Sequence, residues 1–461
     1  MSAIRSALAL VVFSALLLIA ARPAHAQTEI VLYNFCSQPN CVDGKDPAAS
    51  LAPDGAGNFY GTTQLGGANM DGTVFELSPN GFGGYDETVL YSFCSLPYCT
   101  DGSGPTSNVI FDGAGNLYGT ACSGGANGQG VASACGDGSN GYGVVYELSP
   151  EPGGGCPGGS NSGNGWCETV LYSFMSTPDG ASPFSGLTWD PSGNLYGTTY
   201  GGGSGMGTVY ELSPNGEGGG SEQIIYDSGG YGGLTIDGSG NLYGADDLGN
   251  GHVFKLSPNG GGGWNPSIIH AFAGHPTDGS YPSGTPMLDS AGNLYGTTVY
   301  GGIGRCSPDH TDLGCGTVWK LTPSDGEYTG AVLHSFMSGP GVHGCCFSLR
   351  APDLPWAGVV LDSSGDIYGM TEYGGSSSYC TEKEAKGDLQ GCGALFELAR
   401  RPKRTDYETE LLWIFTSGDG AHPVSSLILD GGNFYGTTYN GGLGGFCPNP
   451  GGCGIAFEFT P

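Results

Sequence analysis

Five aspartates stand in the pattern D-G-x-x-P: Asp43, Asp101, Asp179, Asp278 and Asp419, each four residues ahead of a proline. Carboxylates gathered from separate segments offer oxygen ligands to a hard cation, and calcium is the ion such a ring would take. The pattern also has a conformational use, since Asp-Gly makes a turn and the proline fixes the bend that follows. Both uses are open at this level. A second acidic series, Asp54, Asp112, Asp190, Asp237, Asp289, Asp362 and Asp430, opens a turn of the form D-x-x-G-N. It lacks the further acids of an EF-hand loop, and an aspartate that accepts hydrogen bonds from its own hairpin accounts for it.

The chain has sixteen cysteines, and most lie close in sequence to one other. The near neighbours are Cys36 and Cys41, Cys94 and Cys99, Cys122 and Cys135, Cys156 and Cys167, Cys306 and Cys315, Cys380 and Cys392, and Cys447 and Cys453; Cys345 and Cys346 are left over. An even number in a chain with a secretory leader implies disulfides, and pairs without adjacent histidines, scattered over the chain, do not suit zinc. All fall outside the extended runs described below. Nucleophile and metalloprotease motifs are absent: there is no G-x-S-x-G and no H-E-x-x-H. This reading leans away from an enzyme.

These residues hang on a repeat. The sequence D-x-x-G-N-[LF]-Y-G-T-T, or a close variant, recurs seven times, with Tyr60, Tyr118, Tyr196, Tyr243, Tyr295, Tyr368 and Tyr435 at one position. Each copy has four short runs rich in Val, Ile, Thr, Tyr and Phe, bounded by Gly, Asn, Asp or Pro: one ends in the turn aspartate, then N-L-Y-G-T-T, then G-T-V-[FY]-E-L-S-P, then E-T-V-L-Y-S-F. That is a strand signature, and four strands per unit make a blade. The expected fold is all-β: a seven-bladed propeller of four-stranded antiparallel blades. The chain opens on a fourth-type run, Glu29 to Phe35, and stops on a third-type run, Gly454 to Phe459. The N-terminal strand should therefore complete the last blade. In the fourth run one position reads Tyr33, Tyr91, Tyr172, Tyr226, His270, His334 and Trp413, so the two histidines are read as packed substitutes for tyrosine. Tyr85, Trp166, Trp264, Tyr328 and Tyr407, just ahead of that run, are aromatic candidates for stacking on sugars.

Residues 1–26 carry Arg5, an apolar run and Ala-His-Ala before Gln27, the form of a secretory signal peptide. Residues 27–461 are then one domain, exported to the periplasm or beyond, with no later run long enough to span a bilayer. The formal charge is −30, and the leader takes away Arg5 and Arg22 but no acid, so nucleic acid and anionic lipid are poor partners. A monomer is expected. The 91 glycines follow the repeat and mark turns.

In a propeller, the loops between second and third strands share a face with the crossovers from one blade to the next. Six of the seven local cysteine pairs fall on that face, as do Cys345 and Cys346 and the D-G-x-x-P aspartates. Rigid, variable loops on a regular scaffold are where binding resides. At the level of G-N-L-Y-G-T-T, G-T-V-F-E-L and L-Y-S-F, the chain resembles the GloVer tandem repeat family, the Gloeo/Verruco repeats of bacterial exported proteins. The resemblance spans essentially the whole mature chain; blade four diverges most, at Gly244 to Asp247 and Gly251 to Val253. It implies an exported repeat protein with no catalytic residues to carry over. The turn is also similar to that of NHL-type and lactonase or lyase propellers. The function expected is a non-catalytic binding module, with a glycan or protein ligand on the cysteine-stapled face; the alternative is a metal-assisted lyase or hydrolase.

Overall fold

The computed structural model describes residues 27–461 except 129–134, 136–139, 152–155, 157, 158, 162, 216–218, 305–312, 337–353, 376–390, 402–406 and 448–451. It is a seven-bladed β-propeller of antiparallel sheets. Blade one shows the plan: a two-residue inner strand Ala52–Pro53, then Phe59–Thr63, Thr73–Pro79 and the outer strand Tyr85–Ser92. Blade two adds a short fifth strand, Ser160–Asn161, outside Trp166–Ser173. That outer strand begins two residues earlier than the sequence pattern indicates, so Cys167 lies within a strand and not in a loop. Among the described residues there is no helix long and apolar enough to cross a membrane.

The ring closes as the strand order requires. Thr28–Asn34 pairs antiparallel with Ile455–Thr460, from Thr28 opposite Thr460 to Asn34 opposite Ile455, and so supplies the outer strand of blade seven. A bulge leaves Leu32 without a partner just before Tyr33. The same irregularity sits before Tyr91, Tyr172, Tyr226, His270, His334 and Trp413 in the other six outer strands. An extra residue at that point adds twist and turns the following aromatic into the seam between blades.

The glycine of N-L-Y-G-T-T has a packing reason. Gly61 lies opposite Phe75, and a Cβ there would sit 2.6 Å from the ring; at Gly296, opposite Trp319, the gap would be 2.4 Å, and at Gly119, opposite Tyr146, the Cβ would come 2.4 Å from the hydroxyl oxygen. The third strand's aromatic ring lies across the glycine. Outer-strand phenylalanines of the preceding blade complete this core, as in Phe35–Phe75 at 4.9 Å and Phe93–Tyr146 at 5.0 Å between ring centres. This part of each seam is thus aromatic.

The first threonine of the same motif ties five of the seven blades to the next. Thr62 Oγ1 donates to the carbonyl of Ser107 at 2.9 Å, Thr120 to Ser185 at 3.1 Å, Thr198 to Gly232 at 2.9 Å and Thr297 to Ala357 at 2.7 Å. Thr437 of blade seven donates to Ala49 of blade one at 2.9 Å, which closes the belt. Blades four and six carry Ala245 and Met370 at that position.

Five disulfides join the expected neighbours: Cys36–Cys41, Cys94–Cys99, Cys122–Cys135, Cys156–Cys167 and Cys447–Cys453. Cys315 and Cys392 are also disulfide-bonded, while Cys306, Cys380, Cys345 and Cys346 lie outside the described residues.

Candidate functional site

On the cysteine-stapled face the central channel opens into a cavity of about 450 Å³ to which all seven blades contribute. Two rings of equivalent positions form its mouth. The inner ring lies in the crossovers, six residues ahead of each turn aspartate, and reads Ala48, Thr106, Phe184, Tyr231, Ser283, Trp356 and Val424; all seven line the cavity. The outer ring directly follows the second strand's threonine pair and reads Gln64, Cys122, Tyr200, Asp247, Val299, Glu372 and Tyr439. Gln64, Glu372 and Tyr439 reach the cavity. Here the repeats stop resembling one another. Flanking positions are held constant by blade packing, whereas these point at the axis, where the fold asks for nothing in particular.

The mouth is two-sided. Phe184, Tyr200, Tyr231 and Trp356 form a continuous aromatic wall, with ring centres 5.4 Å apart for Phe184 and Tyr231, 4.4 Å for Tyr200 and Tyr231, and 6.2 Å for Tyr231 and Trp356. Tyr231 keeps 40% of its surface exposed. Facing this wall is a polar one. Gln64 Nε2 donates to the carbonyl of Cys135 at 3.1 Å, and its Oε1 accepts from the Tyr439 hydroxyl at 3.0 Å. The Cys122–Cys135 disulfide therefore fixes the carbonyl that orients Gln64. Burial, with Asp46 nearby, pushes the Tyr439 hydroxyl up to about 12, so it stays a neutral donor. Burial likewise lifts the Asp247 carboxyl, with Asp246 adding to the effect. Among the described residues, no lysine, arginine or histidine lines the cavity.

Blade four departs from the others beside this wall. Cross-strand threonine pairs bond at 2.8 Å (Thr63 and Thr73), 2.9 Å (Thr199 and Thr208) and 2.7 Å (Thr298 and Thr317). In blade four Asp246 and His252 take their places, with His252 Nδ1 2.9 Å from a fully buried Asp246. A second hollow, of about 830 Å³, lies in the seam between blades five and six on the opposite side. It is larger, but its aspartates Asp289 and Asp362 are engaged in their own turns, at 2.8 Å from Asn293 N and 2.9 Å from Asp366 N. The channel mouth is the better-formed candidate.

The D-G-x-x-P aspartates lie elsewhere, at the seams. Asp101 is fully buried and accepts from the Tyr91 hydroxyl at 2.7 Å, from Ser95 N and Oγ at 2.8 and 2.9 Å, and from Leu96 N at 3.2 Å. Asp43 repeats this with Tyr33, Ser37 and Gln38, and Asp179 with Tyr172, Met175 and Gly180. Asp278 bonds His270 Nε2 at 3.2 Å, and Asp419 bonds Thr416 Oγ1 at 2.8 Å. None lines the channel. The turn aspartates behave as the hairpin requires: Asp54 accepts from Ala56 N at 2.7 Å and Asn58 N at 3.1 Å. Partial burial would raise the Asp54 carboxyl, but those hydrogen bonds outweigh it and hold it below the usual range.

Beside the seam aspartates stands a set that sequence reasoning did not single out. Glu29, Glu87, Glu168 and Glu222, four residues before the outer-strand aromatic, each leave one carboxyl oxygen buried with no hydrogen-bond partner. Glu168 is 1% exposed. Burial, reinforced by Asp43, pushes Glu87 up to about 8; burial with Asp419 and with Asp179 takes Glu29 and Glu222 to about 7. Tyr172 shows the convergence: its hydroxyl lies 3.0 Å from Asp179 and 3.5 Å from Glu222. A hydroxyl has one proton to give, so the second carboxyl must bring its own. In the seam between blades four and five the glutamate is replaced by Gly330, and a Cβ there would come within 2.8 Å of the His270 ring.

His334 is buried with its Nδ1 2.9 Å from Thr409, and burial lowers it to about 4, in keeping with a packing role. Of the aromatics ahead of the outer strands, Trp264 packs on Tyr196 at 5.6 Å and Tyr328 on Tyr243 at 6.4 Å, each against the preceding blade. Phe184, Tyr231, Trp356 and Tyr439 bring aromatic rings to the lining of the cavity.

The sequence profile of the Gloeobacter/Verrucomicrobia repeat matches residues 132–307. The match supports assigning the chain to that repeat family. No curated protein sequence matches the chain. Among solved structures it is similar to a putative 6-phosphogluconolactonase from Bacteroides uniformis (12% identity, 79% of this chain and 84% of that one, TM-score 0.44) and to another from Bacteroides fragilis (14%, 87% and 89%, 0.44). It is also similar to a PQQ-bound aldose sugar dehydrogenase from Streptomyces coelicolor (11%, 95% and 99%, 0.42). At these values the likeness has no bearing on activity or site. Among the seven copies of the repeat, the inner and outer rings are where the copies differ in kind.

Proposed function

We propose that this protein is an exported, non-catalytic binding propeller, of one domain after removal of residues 1–26, whose ligand sits on the cysteine-stapled face at the channel mouth. The observation that carries this is the breakdown of repeat identity at the two rings around the mouth. Seven equivalent crossover positions hold Ala, Thr, Phe, Tyr, Ser, Trp and Val, while the next position holds only Ala, Ser or Gly. Exposed apolar side chains support the same face: among the described residues Tyr98, Met175, Met206, Ile303, Leu443 and Phe446 are each at least half exposed on it, against Phe82 alone on the other side. Apolar surface concentrated on one face marks interaction. The disulfides agree with an oxidising compartment outside the cytoplasm.

The test compares the wild-type protein, the double variant Tyr231→Ala, Trp356→Ala and the opposite-face variant Phe82→Ala for retention of envelope polysaccharide and envelope protein fractions. Retention should be lost in the double variant and kept in Phe82→Ala. Unchanged retention in the double variant, or loss in Phe82→Ala, refutes the assignment of this face.

A further inference from the structure

The geometry points to an uncharged saccharide as the ligand of the channel mouth, stacked on the Tyr231 and Trp356 side and hydrogen-bonded from the Gln64 and Tyr439 side. This rests on the binding reading above and adds the chemical class. A pyranose ring has an apolar face of C–H groups and an equator of hydroxyls, so it needs a flat aromatic surface opposed by fixed polar groups. Both are present across one cavity. Its volume of about 450 Å³ falls within the range of small-molecule pockets.

The aromatic wall is a platform and not a cage. Tyr200 lies behind Tyr231 with ring centres 4.4 Å apart and planes tilted by 31°, so the rings support one another and present a surface. An ammonium ligand calls for rings arranged around a void. The polar wall is set before any ligand arrives. Gln64 is held at both ends of its amide, by Cys135 and by Tyr439, which leaves its second N–H to donate, and the Tyr439 oxygen remains able to accept. Groups held in place in advance lose little entropy on binding. Charge selects further. Among the described lining residues there is no lysine, arginine or histidine, and Glu372 is present, so they offer an anionic sugar no counter-ion for the desolvation it would undergo.

Calorimetric titration of the mature, oxidised protein tests this with three panels: neutral oligosaccharides (gluco-, manno-, galacto- and xylo-), oligouronates and oligoglucosamines. At least one neutral series should bind, and oligouronates of the same linkage at least about tenfold more weakly, the factor that about 1.4 kcal/mol represents. Tyr231→Ala and Trp356→Ala should each weaken binding about tenfold, while Phe82→Ala leaves it unchanged. Gln64→Ala should weaken binding while leaving the melting temperature within a degree or two. Binding confined to oligouronates or oligoglucosamines overturns the inference, as does no heat from any neutral series with folded protein. Should an envelope protein be retained through Tyr231 and Trp356 while no sugar binds, the binding face stands and the saccharide class falls.

Discussion

Raising the pH from 6.5 to 8.5 should destabilise this protein, because the seams hold glutamates that fold as neutral acids. Glu87 is the clearest case: its carboxyl is buried, one oxygen lacks any hydrogen bond, and Asp43 stands against it, so its folded value is about 8 where an unfolded chain has about 4.5. The folded state therefore keeps a proton that the unfolded state has lost, and stability falls as pH climbs from about 4.5 to about 8, then levels. Between 6.5 and 8 this comes to roughly 2 kcal/mol for Glu87, at about 1.4 kcal/mol per unit. Glu168 adds in the same direction, its pKa well above the usual range through burial and Asp101. Glu29 and Glu222, at about 7 and less deeply buried, add less. The window is chosen to isolate them. His334, lowered to about 4, favours folding as pH rises to about 6.5 and is flat beyond it, and the turn aspartates act only at the acid end. Guanidinium unfolding at fixed ionic strength should show the midpoint dropping across this range. Glu87→Gln should remove about 2 kcal/mol of the drop, Glu168→Gln a further share. A midpoint that is constant or rises from pH 6.5 to 8.5, or an unchanged slope in both variants, refutes the neutral-acid account.

Deleting residues 27–35 removes the outer strand of blade seven together with buried Phe35, and Phe35→Ala alone should cost about 3–5 kcal/mol, read from the unfolding midpoint. Thr437→Val leaves the Ala49 carbonyl without its donor and should cost about 1–2 kcal/mol, whereas Thr409→Val on the exposed edge of blade six should cost less. Peptide mapping without reduction should recover the five local disulfides, plus Cys315 joined to Cys306 and Cys392 to Cys380; a bridge between different blades would break the local scheme. Gly197→Ala should be strongly destabilising, because the new methyl would sit 2.3 Å from the Tyr210 hydroxyl.

What the sequence determined by itself follows from repetition. Seven copies of N-L-Y-G-T-T set strand count, blade count and all-β class. The order of the end strands required Thr28–Asn34 to join Ile455–Thr460, because an open sheet edge has no other partner in a ring. Short separations fixed cysteine partners such as Cys36 and Cys41 before any geometry was known. The reasons behind the motif came only with the tertiary structure. That Thr437 reaches Ala49, 388 residues away, is a property of ring closure and leaves no local trace. The D-G-x-x-P aspartates could be read as a ring at the mouth; the outer-strand bulge instead turns Tyr91 toward Asp101 and draws that carboxylate into the seam with Glu168. Position within the repeat cannot reveal this, because the bulge changes which face a residue occupies and the seam joins two different copies. The channel mouth had a signal that went unused. Aligned copies disagree in kind at Ala48, Thr106, Phe184, Tyr231, Ser283, Trp356 and Val424, and a position that the fold leaves unconstrained is free to serve a ligand. That Phe184, Tyr231 and Trp356 then form one wall was decided by closing the ring, which brings residues far apart in the chain to within about 6 Å of one another.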